Sequence, residues 1–269
     1  MRIAVFSDSH TFSPPSSWNA CFDKRAIGLV NYFYIRKHKH KQLYLEKVVK
    51  RIIALSPDIV ICTGDLTTSG DRPEFELVCS ILKPLVENSS FEMFYVPGNH
   101  DYYVKDAVCY ESLKVAFHYL NRGRFRLEDL PRSLETKGLD FCFVNVCKPV
   151  NLFISSARMS KKNRNFIINW AETKTQKPKV LVEHYPLIEE PPILRFRHKL
   201  WGEKQVLEKL KSGKIDLSLC GHVHHPTQRI DEKGRGEIII GSATANKCFA
   251  LIEYDEKIDL FKYNKISVE

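Results

Sequence analysis

The chain has 269 residues, 43% of them hydrophobic, enough for a full core in one large domain or two small ones. No apolar run approaches the ~18 residues that a bilayer-spanning helix needs. The net charge of +9 is concentrated in one stretch, where Lys24, Arg25, Arg36, Lys37, Lys39, Lys41, Lys47, Lys50 and Arg51 face Glu46 alone. A partner for that stretch, not for the whole surface, has to be sought.

In chain order, Arg2-Ile3-Ala4-Val5-Phe6-Ser7 reads as a buried strand that runs into Asp8-Ser9-His10. A Ser/Pro-rich loop follows. Ala26 to Ile35 is apolar or aromatic except for Asn31, with Lys24-Arg25 before it and Arg36-Lys37-His38-Lys39-His40-Lys41 after it. Such a stretch suits a membrane interface, with its basic flanks on lipid headgroups. It suits equally a helix packed on the core with a solvated basic turn behind it. Nucleic acid is the third option for a basic patch. Against it, the aromatics are clustered instead of interleaved with the charges, and the rest of the chain is nearly neutral. No nucleic acid is expected.

Leu45, Val48, Val49, Ile52 and Ile53 have helical spacing. Asp58 to Thr63 is the second strand, and it ends in Gly64-Asp65. A helix is expected over 72–86. Phe91 to Pro97 ends in Gly98-Asn99-His100-Asp101. A helix around 105–120, a strand over 139–147 and a helix over 161–174 follow. Lys179 to Glu183 ends in His184. The loop at about 186–201 is apolar and basic. A helix over 203–210 leads to Ile215 to Cys220, which ends in Gly221-His222-Val223-His224-His225. In an extended segment His222 and His224 would point the same way, with His225 pointing elsewhere. Three short strands are expected near 235–241, 247–254 and 257–262. No repeat or linker interrupts the pattern, so a single domain over 1–269 is expected.

Cysteines Cys62, Cys142 and Cys220 lie inside apolar runs, and no C-x-x-C pair occurs. They read as small buried hydrophobes in a reducing compartment. No cleavable leader is expected, because a strand and candidate ligands begin at Arg2.

Five apolar strands thus end in Asp, His or Asn, and such residues collect along one edge of an α/β sheet. The ordered set Asp8-x-His10, Gly64-Asp65, Gly98-Asn99-His100-Asp101, His184 and Gly221-His222-x-His224 resembles the calcineurin-like metallophosphoesterases. The resemblance implies an α/β fold: a four-layer α/β/β/α sandwich of two mixed sheets, with an inserted apolar-basic cap. It implies two divalent metal ions, one on Asp8, His10, Asp65 and His224, the other on Asp65, Asn99, His184 and His222. Asp65 would bridge them. Two dications against Asp8 and Asp65 leave a positive site that is matched to a phosphate ester and able to acidify a water to the hydroxide nucleophile. His-rich ligation favours Mn, Fe, Zn or Co over Mg or Ca. By the same resemblance His100 holds the phosphoryl group and protonates the leaving oxygen. Asp101 is expected to partner His100 or to support the ligands from behind.

The segments at 24–41 and 186–201 each follow a ligand motif, so both are expected to overhang the site as a cap. Arg36, Lys37, Arg195, Arg197 and His198 are candidate substrate contacts. An apolar groove rimmed by cations suits an anionic head with acyl chains. The Lys24–Tyr32 stretch also resembles the corresponding insertion of the bacterial UDP-2,3-diacylglucosamine pyrophosphatases of lipid A synthesis. That likeness implies release of UMP and lipid X, in the cytoplasm or at the inner face of the cytoplasmic membrane. A cyclic-nucleotide or other small-molecule phosphodiesterase, a protein phosphatase, a nuclease and a non-enzymatic metal-binding scaffold remain the alternatives.

Overall fold

Runs of Ile, Val, Leu and Phe make short strands, numbered here in chain order, and what caps them makes the site. The computed structural model describes residues 1–149, 155–188 and 198–269. In the first sheet β1 (Arg2–Phe6), β2 (Ile59–Cys62) and β3 (Glu92–Tyr95) pair in parallel. β12 (Cys248–Asp255) joins β1 antiparallel, and β13 (Leu260–Ser267) joins β12. The second sheet has a parallel centre of β5 (Asp140–Phe143), β7 (Lys179–Val182), β9 (Leu217–Cys220) and β11 (Gly236–Ile239). Antiparallel β4 (Arg132–Glu135) and β10 (Thr227–Ile230) close its two edges. Both sheets are therefore mixed. A small parallel pair, β6 (Ala157–Arg158) and β8 (Leu200–Trp201), stands apart.

Side chains alternate across the second sheet with the strand period of two. Phe141, Phe143, Val180, Val182, Leu217 and Leu219 join the core shared with the first sheet and with helices Gln42–Leu55, Arg72–Val86 and Ala107–Leu120. Cys142, Val144 and Leu181 point the other way, onto Ile167, Trp170, Val206 and Leu210 of helices Lys161–Glu172 and Lys204–Lys211. This is the expected helix/sheet/sheet/helix layering.

Differences from the expected boundaries have local causes. The helix expected from 105 begins at Ala107 because the Asp106 carboxylate accepts from Cys109 N at 3.0 Å and caps it. The helix expected to 174 ends at Glu172, where Thr173 turns to extended backbone. β10 was not expected, since Thr227-Gln228-Arg229-Ile230 has no apolar run and is only partly covered. The seven described cysteines are free thiols, six of them buried. Among the described residues no helix is long and apolar enough to cross a membrane.

The insertion forms helix Lys24–Asn31, a π-helical turn Tyr32–Arg36 and a short helix Lys37–Lys39. Arg25 is turned inward: its guanidinium donates to the Asp23 carboxylate at 2.7 Å and lies 3.6 Å from Asp106. One of the basic residues thus ties the insertion to the helix cap at Asp106. Outward stand Trp18, Phe22, Val30, Phe33 and Tyr34, all exposed.

Glu74 is fully buried, and only its Oε2 is bonded, accepting from Ser69 N and Oγ. Burial pushes its carboxyl up to about 8. An acid with a raised folded value favours the folded state less as pH climbs from its unfolded value towards that one. Glu74→Gln removes this pH dependence. Its melting temperature relative to wild type should therefore rise between pH 5 and pH 8, as followed by circular dichroism. A difference that is flat with pH would contradict the assignment.

Candidate metal centre

The loops after β1 and β2 are zipped together by their backbones. Asp8 N donates to Gly64 O at 2.9 Å, His10 N to Asp65 O at 3.0 Å, and Thr11 N to Leu66 O at 2.8 Å. Asp8, His10 and Asp65 are thereby held side by side on two paired loops. The loop after β9 docks on the same place, where His222 N donates to the Asp8 carboxylate at 3.1 Å. The loop after β3 joins through His100 N, which donates to Asp65 Oδ1 at 2.7 Å.

Two clusters of possible ligand atoms result, and they share Asp65. In the first are Asp8, His10, Asp65 and His224. His224 Nε2 lies 3.2 Å from Asp8 Oδ1 and 2.8 Å from His10 Nε2, and His10 Nε2 lies 3.7 Å from Asp65 Oδ2. In the second are Asp65, His184 and His222. His184 Nε2 lies 3.4 Å from the same Asp65 Oδ2 and 3.2 Å from Asn99 Oδ1. One carboxylate oxygen thus stands between both groups.

The i, i+2 argument for His222 and His224 does not hold. Both have left-handed backbone, with φ of 72° and 55°, so the segment is not extended. They part, one to each cluster. Asp8, His10 and Asp65 share that conformation, with φ of 52°, 45° and 54°. Such backbone is costly for non-glycine residues and gathers at functional sites. Here it turns neighbouring side chains into one small space.

The three glycines that precede ligands serve in two ways. Only Gly64, with φ of 106°, serves a left-handed turn. At Gly98 and Gly221 the reason is room: an added Cβ would stand closer than 3.0 Å to the Asp65 carboxylate and to Ser7 and Asp8, respectively.

The donor set fits cations on three observations. His10 Nε2 and His224 Nε2 face each other at 2.8 Å, which two lone pairs cannot do without a shared proton or cation. His222 Nδ1 is buried with no hydrogen-bond partner. His184 donates Nδ1–H to Thr63 O at 2.8 Å, which turns Nε2 towards the cluster as the end where a cation would replace a proton, the usual support for a metal-binding imidazole. Burial opposes charge on Asp65 and His184 alike, but each stabilises the other. Asp65 is held well below the ordinary carboxylate range and His184 is raised to about 9. Burial and the neighbouring His184 and His198 keep His222 well below the ordinary histidine value, hence neutral.

His100 donates Nδ1–H to Thr68 O at 2.6 Å and stacks on Tyr103, with ring centroids 4.9 Å apart. Its bond goes to that carbonyl and not to Asp101. Asp101 instead accepts from Thr67 N and Oγ1, Gly98 N and Tyr95 OH, and so clamps the loops that carry Asp65 and Asn99. His198 reaches His222, Nδ1 to Nε2 at 3.1 Å, and so contacts a candidate ligand. Lys37 is exposed. Arg195, Arg197 and the Arg36 side chain lie outside the described residues. His225 is exposed, near Pro226 O and Thr227.

The insertion brings in residues that carry no motif. His40, which reads as ordinary in the sequence, is buried against His10 and His224, with centroids at 4.9 and 5.6 Å. Lys24 lies 4.4 Å over the Tyr103 ring, where burial lowers its pKa against the opposing pull of Asp65. The one available signal was their place, directly after Asp8-x-His10, which returns them to the same edge.

Gly98→Ala should displace Asp65 and so empty both clusters at once. Metal content by mass spectrometry is expected to fall from two ions per chain to fewer than one. An alanine variant that keeps two ions would contradict the shared role of Asp65.

The family model of the calcineurin-like phosphoesterases matches residues 1–226. Among curated proteins none matches the chain. Several solved structures share its fold. A purple acid phosphatase from yellow lupin (Lupinus luteus) seeds matches with a TM-score of 0.60 and 14% identity, over 98% of this chain and 51% of that one. A dimetal phosphatase from Danio rerio matches with a TM-score of 0.59 and 12% identity, over 100% and 99%. The TT1561 protein of Thermus thermophilus matches with a TM-score of 0.57 and 14% identity, again over 100% and 99%. At these identities the likeness is one of fold. With the family model covering most of its length, the chain belongs to the calcineurin-like phosphoesterases and is a metal-dependent phosphoester hydrolase.

Proposed function

We propose that this hydrolase cleaves the diphosphate of UDP-2,3-diacylglucosamine at a membrane surface, giving UMP and the diacylglucosamine 1-phosphate. The observation that carries the reading is the double role of the inserted segment. Inward, it packs His40 against His10 and sets Lys24 over Tyr103, the ring that stacks on His100. Outward, it exposes Phe33 and Tyr34 beside its lysines, and Trp18 and Phe22 are exposed just ahead of it. Exposed aromatics within a basic stretch favour an anionic lipid interface. Anchoring there would hold the acyl chains in the lipid while the charged head reaches the clusters, on the cytoplasmic face where the nucleotide is found.

When bound, two dications, manganese first among the candidates, would supply Lewis acidity and an acidified water. Asp8, His10, Asp65 and His224 would hold one, and Asp65, Asn99, His184 and His222 the other. With Nδ1–H donated to Thr68 O, His100 would meet a phosphoryl oxygen, and protonate the departing group, through Nε2. The oxygen of water bonds to the α-phosphorus and the bond from that phosphorus to the bridging oxygen breaks. The bridging oxygen leaves with the sugar phosphate.

Hydrolysis in oxygen-18 water should put the label in UMP. Label in the sugar phosphate, or no turnover of this substrate, would overturn the reading. Asp65→Asn should lower turnover of a soluble nitrophenyl phosphodiester by a hundredfold or more, on the order expected for loss of a metal-bridging group. Trp18→Ser with Phe22→Ser should reduce sedimentation with phosphatidylglycerol vesicles and leave that soluble turnover as it was. Fast hydrolysis of a cyclic nucleotide, surviving replacement of residues 26–35 by a polar linker, would favour the small-phosphodiester alternative.

A further inference from the structure

His40 is held in one orientation by a chain of hydrogen bonds whose direction can be worked out. Its Nδ1 lies 2.7 Å from Thr244 Oγ1. The Thr244 hydroxyl donates its single proton to Ser9 O at 2.9 Å. Ser242 has none to spare for Thr244, since its own hydroxyl donates to Asp8 O at 2.6 Å. Thr244 Oγ1 is therefore an acceptor, and His40 Nδ1 carries the hydrogen. The relay ends on the carbonyl of Ser9, the residue between Asp8 and His10. Those two have the left-handed backbone described above, which persists only where the surroundings enforce it. The ring of His40 meanwhile packs edge-on against His10 and lies close to His224. Three members of the first cluster are thus steadied from one imidazole, and these contacts all belong to the side of that cluster.

We propose that His40 is a positioning residue for the first metal cluster, and that through it the seating of the inserted segment and the occupancy of that cluster are coupled. The inference rests on the two-metal reading. Partners behind metal ligands are commonly worth 10- to 100-fold in metal affinity. Coupling between two events is reciprocal. A seated insertion tightens the first cluster, and a filled first cluster holds the insertion down. Substrate entry under the insertion would then sense the metal beneath it.

The test is a manganese titration of the metal-stripped full chain by calorimetry, with trypsin cleavage inside residues 24–41 followed with and without manganese. Lys37, Lys39 and Lys41 are exposed and report on seating. Wild type should bind two ions, and manganese should slow the cleavage. His40→Ala should weaken one site by on the order of 10-fold or more, leave the other within about twofold, and abolish the protection. His40→Asn places an amide N–H where Nδ1–H was and should recover part of both effects. It also serves if the alanine variant does not fold. His40→Phe keeps a ring edge without the donor and should not recover them. Two sites of wild-type affinity in His40→Ala, or equal weakening of both, would overturn the proposal alone. A wild type that binds fewer than two ions would overturn the two-metal reading and the proposal with it.

Discussion

Asp65 carries a carboxylate into a fully buried place, and its Oδ2 is approached from two sides by imidazoles that belong to different sheets. A buried anion is tolerated only when positive charge and hydrogen bonds surround it. The chain provides one bond from His100 N and a charge on His184. That arrangement is poised for cations, which would take the place of the proton on His184 and satisfy His10, His224 and His222 together. The rest of the molecule can be read as the means of bringing five loops to this one oxygen. Asp101 clamps two of them, Ser242 and Thr244 hold a third, and the backbone between Asp8 and Leu66 joins the strands that start it all.

The order of the strands explains why so little chain is needed. β1, β2 and β3 are parallel neighbours, so their C-terminal ends lie side by side, and the same holds for β7 and β9. Each loop has only to bend once. The bends are abrupt, which accounts for five left-handed non-glycine residues among the candidate ligands and for glycines where two loops touch.

Much of this was legible in the sequence. Each of the five strands that lead into the site announced itself as an apolar run, and each ended in a residue type suited to metals. Helix Arg72–Val86 keeps its expected bounds, with Asp71 capping its start and Pro73 in its first turn. What could not be read was direction. The spacing of His222 and His224 suggested a shared face, but two left-handed residues send them to opposite clusters. The position of Asp101 next to His100 left open whether it pairs with that histidine or supports the ligands from behind, and its carboxylate turns to Thr67, Gly98 and Tyr95. His40 was overlooked because its partners, Thr244 and the ring of His10, are distant in the chain, and no short pattern encodes them. β10 was missed for a related reason: an edge strand that is half covered need not be apolar.

The insertion is where fold and function meet. Its helix is tied to the body by Arg25 and Asp106, its Phe33 and Tyr34 face outward, and its last histidine is buried beside the candidate ligands. All of this matters only if cations occupy the centre as the side chains suggest. The most direct measurement is anomalous diffraction from crystals grown with manganese. Two peaks ~3.5–4 Å apart, with Asp65 touching both, are the predicted result. A single peak, or two peaks that do not share Asp65, would contradict it.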